Sequence, residues 1–178
     1  MTTVFLAPAK DRPVRQRHPW IFSGAIDRVE GPIVLGDLVD VADARGEWLA
    51  RGYFNPRSQI EVRLLTWERA EPVDAAFWRR RLVAAGAARA ALAADPHTTA
   101  YRLVYAESDG VPGLIVDRYG DWLVVQFLTA GVEVRRDERG HQRDRTQARA
   151  ARQPDLSSGC RAPGRSPRGE ASRVPDDG

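Results

Sequence analysis

Five cationic side chains crowd into nine residues of "KDRPVRQRHPWIFSGAI" (10–26): Lys10, Arg12, Arg15, Arg17 and His18. Trp20 and Phe22 follow directly. Cations neutralise phosphates and aromatic faces stack on bases, so these residue types at this spacing suit RNA. The same charges would also make an ordinary solvated loop. Trp20 and Phe22, two apart on a strand-like segment, are expected in the core.

A second set of reactive types lies in "YAESDGVPGLIVDRYG" (105–120), which carries Glu107, Asp109 and Asp117. Clustered carboxylates can do acid–base work or hold a metal. Their setting among Gly and Pro favours turn formation instead. His18, His97 and His141 are scattered, with no nucleophile beside them to suggest a triad. Cys160, in "LSSGCRAPG", lacks surroundings that would lower its pKa. No glycine-rich phosphate loop, His-Glu-x-x-His pattern or Cys/His metal spacing occurs. The residues by themselves define no catalytic, cofactor or metal site.

The elements that must position these groups read in two styles. "TVFLA" (3–7), "GDLVDVAD" (36–43), "EWLARGYF" (47–54) and "QIEVRLLTW" (59–67) are short strand candidates, and 10–19 is a loop with a short helix. In the last strand Ile60, Val62 and Leu64 fall on one face, Glu61 and Arg63 on the other. Strands at this spacing predict a small barrel or sandwich. From Asp74 the period changes. "DAAFWRRRLVAAGAARAALAAD" (74–95) predicts a single helix of about five turns, capped by Asp74, with Trp78, Leu82 and Ala85 on one face. "AYRLVYAE" (100–107) reads as a strand, and "LIVDRYGDWLVVQFLTA" (114–130) as two more. The run Trp122–Leu128 is apolar on both faces and needs cover on both sides. Nothing after Glu133 has the composition to supply it.

Composition divides the chain at the same place. Residues 1–134 hold 16 Lys+Arg and 17 Asp+Glu, whereas 135–178 hold 11 Arg and 7 Asp+Glu. All five Trp lie in the first part, and Leu156 is the only Leu, Ile, Met, Phe, Trp or Tyr in the last 44 residues. The pI of about 9.5 therefore reflects the tail and says little about nucleic acid. There is no apolar run long enough to span a bilayer. The N-terminus lacks the pattern of a signal peptide, which makes the cytoplasm the expected location.

Taken together, "RQRHPWIFSGAI", "GDLVDVADARGEWLARGYFNPRSQIEVRLLTW" and "YRLVYAESDGVPGLIVDRYGDWLVVQFLTAGVE" resemble the front of the RlmI-like class I methyltransferases. These S-adenosylmethionine-dependent enzymes methylate carbon 5 of a cytosine in large-subunit ribosomal RNA. The resemblance covers about residues 3–134. It implies a mixed α/β chain: a PUA pseudo-barrel over 1–70, then a strand–helix–strand–strand α/β domain over 71–134. Large-subunit ribosomal RNA is the implied partner, and homodimers are within the family's range. On this likeness Lys10, Arg12, Arg15, Arg17 and His18 are candidate RNA contacts, with Arg51, Asn55 and Ser58 of "ARGYFNPRSQI" on the same surface.

In the family a Rossmann-like domain should follow "TAGVE", with a glycine-bearing cofactor loop, an acidic residue for the ribose and a catalytic cysteine. None of these is found, and Cys160 does not sit in the cysteine's context. The chain is therefore expected to hold no cofactor of its own and to be truncated and inactive as written. The alternative is a stand-alone PUA protein whose basic tail adds RNA affinity. One Lys against 26 Arg is typical of GC-rich coding DNA. A shifted frame near 134–142, rather than a native disordered tail, is therefore the expected source of the Arg/Pro/Gly/Ser mixture of 135–178.

Overall fold

The computed structural model describes residues 1–136. Its first strand, β1 (Thr2–Leu6), alternates strictly, with Thr2, Val4 and Leu6 buried. Helix α1 (Arg12–Arg15) is one turn long and carries Pro13 in its first turn, where a missing N–H is harmless. Next come β2 (Trp20–Phe22), a 3₁₀ turn (Ser23–Ala25) and β3 (Ile26–Glu30). Strands β4 (Leu38–Ala42), β5 (Trp48–Phe54) and β6 (Ile60–Thr66) complete a six-stranded sheet in the order β2-β6-β5-β4-β1-β3. All pairings are antiparallel except β1 with β4. The two edge strands, β2 and β3, are linked by only the Ser23–Ala25 turn. That short link forces the sheet to curl until its edges approach, the barrel-like form expected. Val4, Leu6, Val14, Ile21, Val41, Val62 and Leu64 fill its interior.

The outer face of β5 and β6 is also covered, because Tyr53 and Leu65 belong to a second core with Phe77, Trp78 and Ala85. Those last three come from α2 (Ala75–Ala88), whose first turn is capped by Asp74 Oδ1 accepting from the Phe77 N–H at 2.8 Å. The predicted single helix over 74–95 is corrected. It breaks at Arg89 (φ −106°, ψ 13°) and resumes as α3 (Ala90–Ala94). At the break the Arg89 guanidinium donates to Ala85 O and, at 2.6 Å, to Asp109. A tertiary ion pair thus outweighs the alanine-rich stretch's helical propensity. The buried face is also wider than expected, since Phe77 is fully buried alongside Trp78 and Ala85.

Strand β7 (Ala100–Tyr105), a 3₁₀ turn (Ala106–Asp109), β8 (Leu114–Tyr119) and β9 (Trp122–Phe127) follow, and α4 (Ala130–Glu133) comes last. The three strands form their own antiparallel sheet, β7-β8-β9. The order of this part is therefore helix–strand–strand–strand, which corrects the strand–helix–strand–strand expectation. The strand before α2 is β6, and it pairs within the first sheet. Strand β9 is an edge, and Trp122, Leu123, Val124 and Val125 are 66%, 58%, 46% and 45% exposed. The two-sided cover its composition calls for is not supplied by the described residues.

Tyr53 ties the two sheets together. Its hydroxyl donates to Pro112 O and lies 3.0 Å from Thr129 Oγ1. Gly131 packs so closely on the ring that a Cβ there would sit 2.1 Å from Tyr53 Cγ. Among the described residues, no helix is long and apolar enough to cross a membrane, and no group of His, Cys, Asp and Glu could hold a metal. The tail expectations for 137–178, including Cys160 and His141, lie outside the described residues.

Candidate nucleic-acid interface

The basic segment is shaped by α1 and the tight reversal after it. Arg17 adopts a left-handed backbone (φ 64°) at the helix end, where the Arg17 and His18 N–H groups return to Val14 O and Pro13 O. The reversal sends the chain into β2 and stands His18 against Trp20. Their rings meet edge to face at 5.7 Å, and Trp20 meets Phe22 the same way at 6.4 Å. With Lys10 they line a groove of about 240 Å³ floored by Val14 and Ile21.

Trp20 and Phe22 are not core residues, contrary to expectation. Trp20 is half-buried and Phe22 is 47% exposed, while Ile21 between them faces the interior. On an edge strand the two-residue spacing puts both aromatics on one face without saying which face. Ile21 was the available signal, because it alternates into the core with Val62 opposite it across the β2–β6 pair. Trp20 and Phe22, whose types suit stacking on bases but whose spacing predicts the core, are thus functional candidates.

The structure separates the predicted cations. Lys10 and Arg12 are exposed and have no ion-pair partner among the described residues. Arg15 is held by three carboxylates: Asp11 at 2.6 Å, Glu47 at 2.9 Å and Asp43 at 3.0 Å. Its guanidinium pKa is raised, first by the Asp11 hydrogen bond and then by Glu47. Asp11 is pulled below the usual carboxylate value by Arg15, and Asp43 by the Glu47 N–H that it accepts. Arg15's charge is thus already neutralised locally. Arg17 lies 3.6 Å from Glu68 and 5.4 Å from the Trp67 ring centre.

Arg51 faces Asp40 directly across β4 and β5, at 2.8 Å, with a side chain only 17% exposed. Asn55 Oδ1 accepts from Arg57 N, and Ser58 Oγ from Ile60 N. Both shape the β5–β6 turn and line a different groove, of about 330 Å³, together with Leu128 and Thr129. Lys10 and His18 therefore share a groove with the two aromatics, and Arg12 does not line it. Arg51, Asn55 and Ser58 do not line that groove.

The three carboxylates of 105–120 each meet an arginine. Glu107 binds Arg63 at 2.6 Å, Asp109 binds Arg89 at 2.6 Å and Asp117 binds Arg102 at 2.8 Å. Asp117 is held below its ordinary pKa, chiefly by the Arg102 hydrogen bond. Asp109 also accepts from the Tyr105 N–H, as a turn carboxylate does. Pairing with Arg102 favours the ionised form of Asp117, the opposite of what a general acid needs.

Comparison with known proteins agrees with this architecture. A PUA-like domain model matches residues 4–67. Ribosomal RNA large subunit methyltransferase I of Aliivibrio fischeri (strain MJ11) is 47% identical over 135 residues, which are 76% of this chain and 34% of that protein. The protein of the same name from Tolumonas auensis is 48% identical over 137 residues, 77% of this chain and 34% of its own length. Among solved structures, one assigned as a SAM-dependent methyltransferase from Streptococcus mutans superposes with a TM-score of 0.67 at 17% identity, over 78% of this chain and 36% of that one. A methyltransferase complexed with SAH gives 0.68 at 17% identity, over 78% and 35%. The chain spans about a third of the length of the curated relatives it matches. Over about three quarters of its length the chain is similar to the ribosomal RNA large subunit methyltransferase I proteins.

Proposed function

We propose that this chain is the RNA-binding part of a ribosomal RNA large subunit methyltransferase. Its PUA-like domain, about residues 1–70, contacts RNA through the groove of Lys10, His18, Trp20 and Phe22. The helix and antiparallel sheet of 71–134 form a second domain that flanks it. The observation that carries this reading is one groove that brings exposed Lys10 and His18 together with half-buried Trp20 and exposed Phe22. Cations set the backbone's position and aromatic rings receive unstacked bases.

In intact members of the family S-adenosylmethionine supplies the methyl group. The described residues do not fit that cofactor. The linker from β6 to α2, residues 67–74, contains no glycine, and the second sheet has no parallel strand to open a phosphate- or ribose-binding crevice. The role of the described residues is therefore binding rather than chemistry.

The test is titration of a large-subunit ribosomal RNA fragment at several salt concentrations against the double variant Lys10→Glu/Arg12→Glu. If both side chains meet phosphates of a single strand, the salt slope shrinks by about 1.4 and affinity falls across all RNA sequences. An unchanged slope and affinity would overturn the assignment.

A further inference from the structure

Trp20, half-buried at the groove, is held from behind by a residue 87 positions away. Its indole Nε1–H donates to Glu107 Oε1 at 2.8 Å. The same oxygen accepts from Arg63 Nη1 at 2.6 Å, and the Arg63 guanidinium lies 5.6 Å from the Trp20 ring centre. Arg63 stands directly opposite Trp20 in the β2–β6 pair. Glu107 arrives from the other sheet, on the 3₁₀ turn after β7. Carboxylate, guanidinium and indole thus form a closed triangle, with only about a fifth of the Glu107 and Arg63 side chains exposed.

The backbone beside Glu107 is unusual as well. Ala106 takes a left-handed conformation (φ 43°), although it carries a Cβ and is buried. Such a conformation persists only where surrounding contacts over-determine it. Here Val111 N returns to Ala106 O, and Asp109 accepts the Tyr105 N–H on the other side. The turn is thereby fixed in the shape that delivers Glu107 to Trp20.

We propose that Glu107 is a positioning residue for RNA recognition, fixing the plane of the Trp20 ring on which a nucleobase stacks. This rests on the RNA-binding reading of the Lys10–Phe22 groove. His18 and Phe22 meet the Trp20 ring edge to face and Arg63 lies over it, but the hydrogen bond that sets its rotation is the one accepted by Glu107. A ring fixed before the base arrives loses less freedom on binding than one that must be ordered at that moment. The second domain therefore contributes to affinity without touching RNA itself.

The experiment compares Glu107→Ala and Glu107→Gln in the full chain, using RNA titration and the indole N–H resonance of Trp20. In E107A the resonance should move and exchange faster with water, and RNA affinity should fall roughly five- to tenfold. E107Q keeps an oxygen able to accept from the indole but removes the charge facing Arg63, and it should restore most of the lost affinity. In a Trp20→Phe background, which has no indole donor, E107A should have little further effect on RNA binding. Loss of affinity in E107A and E107Q alike, with the Trp20 resonance unmoved, would mean that the charge acts directly and would overturn the proposal. So would a full effect of E107A in the Trp20→Phe background. If Phe22→Ala and Lys10→Glu leave RNA affinity untouched, the underlying RNA-binding reading fails, whatever Glu107 does to the indole.

Discussion

Removing one oxygen from Tyr53 tests how the two sheets are joined. Tyr53 is 1% exposed, and its hydroxyl is shared between Pro112 O and Thr129 Oγ1. Tyr53→Phe keeps the ring against Gly131, so packing is retained and only the polar link is lost. A hydrogen bond contributes about 1 kcal/mol net, and a buried carbonyl left unsatisfied costs about 1–3 kcal/mol. Thr129 Oγ1, 3.4 Å from Pro112 O, can recover part of that second amount. The expected loss is about 1–2 kcal/mol, read as a lower urea midpoint with an unchanged slope. The variant also has a distinctive pH behaviour. Burial raises the Tyr53 hydroxyl pKa above its ordinary 10.0. Above about pH 10 the unfolded chain releases a proton that the folded chain retains, so stability is full below that point and declines as pH climbs. The Phe variant lacks this contribution, and its deficit relative to wild type should narrow above about pH 10. Equal midpoints at neutral pH, or a deficit constant into the alkaline range, would refute the reasoning.

Phe22→Ala should barely move the thermal midpoint, because the ring is half exposed. It should weaken RNA binding roughly fivefold or more, and unchanged affinity in the same titration would exclude the ring as a stacking face. Gly52 lies so close to β6 that a Cβ would sit 2.3 Å from Arg63 O. Gly52→Ala should therefore destabilise by about 2–3 kcal/mol, and a wild-type melting curve would contradict that close approach. Asp43 is held below its ordinary 3.8 by backbone N–H groups and by Arg15. Its contribution is present above that value and is lost as pH falls through the lowered pKa, so Asp43→Asn should show a shallower acid decline in melting temperature. Parallel acid declines in variant and wild type would count against it.

Alternation made the first sheet readable from sequence. Ile60, Val62 and Leu64 announce β6, and the Asp74 cap announces α2. What could not be read depends on distant partners. Arg15 looks like a free cation until Asp43 and Glu47 arrive 28 and 32 residues later. The helix break at Arg89 requires Asp109, 20 residues away. Trp20 and Phe22 pass for core because spacing fixes a common face and leaves its direction open. The carboxylates of 105–120 look like turn formers because the arginines they meet come from β6, β7 and the end of α2. Local pattern carries element type, whereas the candidate site is assembled from long-range ion pairs.

The parallel pairing of β1 with β4 also governs the order in which the protein can fold during its own synthesis. Strand β1 leaves the ribosome first, yet it lies between β3 and β4 and has no partner of its own until they appear. Phe5 meets Ala42, and Leu6 meets Ile26. At about 5–20 residues per second, some 2–7 s separate the emergence of β1 from completion of its parallel neighbour. Both edges of this apolar strand stay unpaired until β3 is complete at Glu30, and one edge stays open until β4 is complete at Ala42. Codon choice across residues 7–42 thus sets how long the youngest form of this protein is open to capture by a chaperone or by another nascent chain.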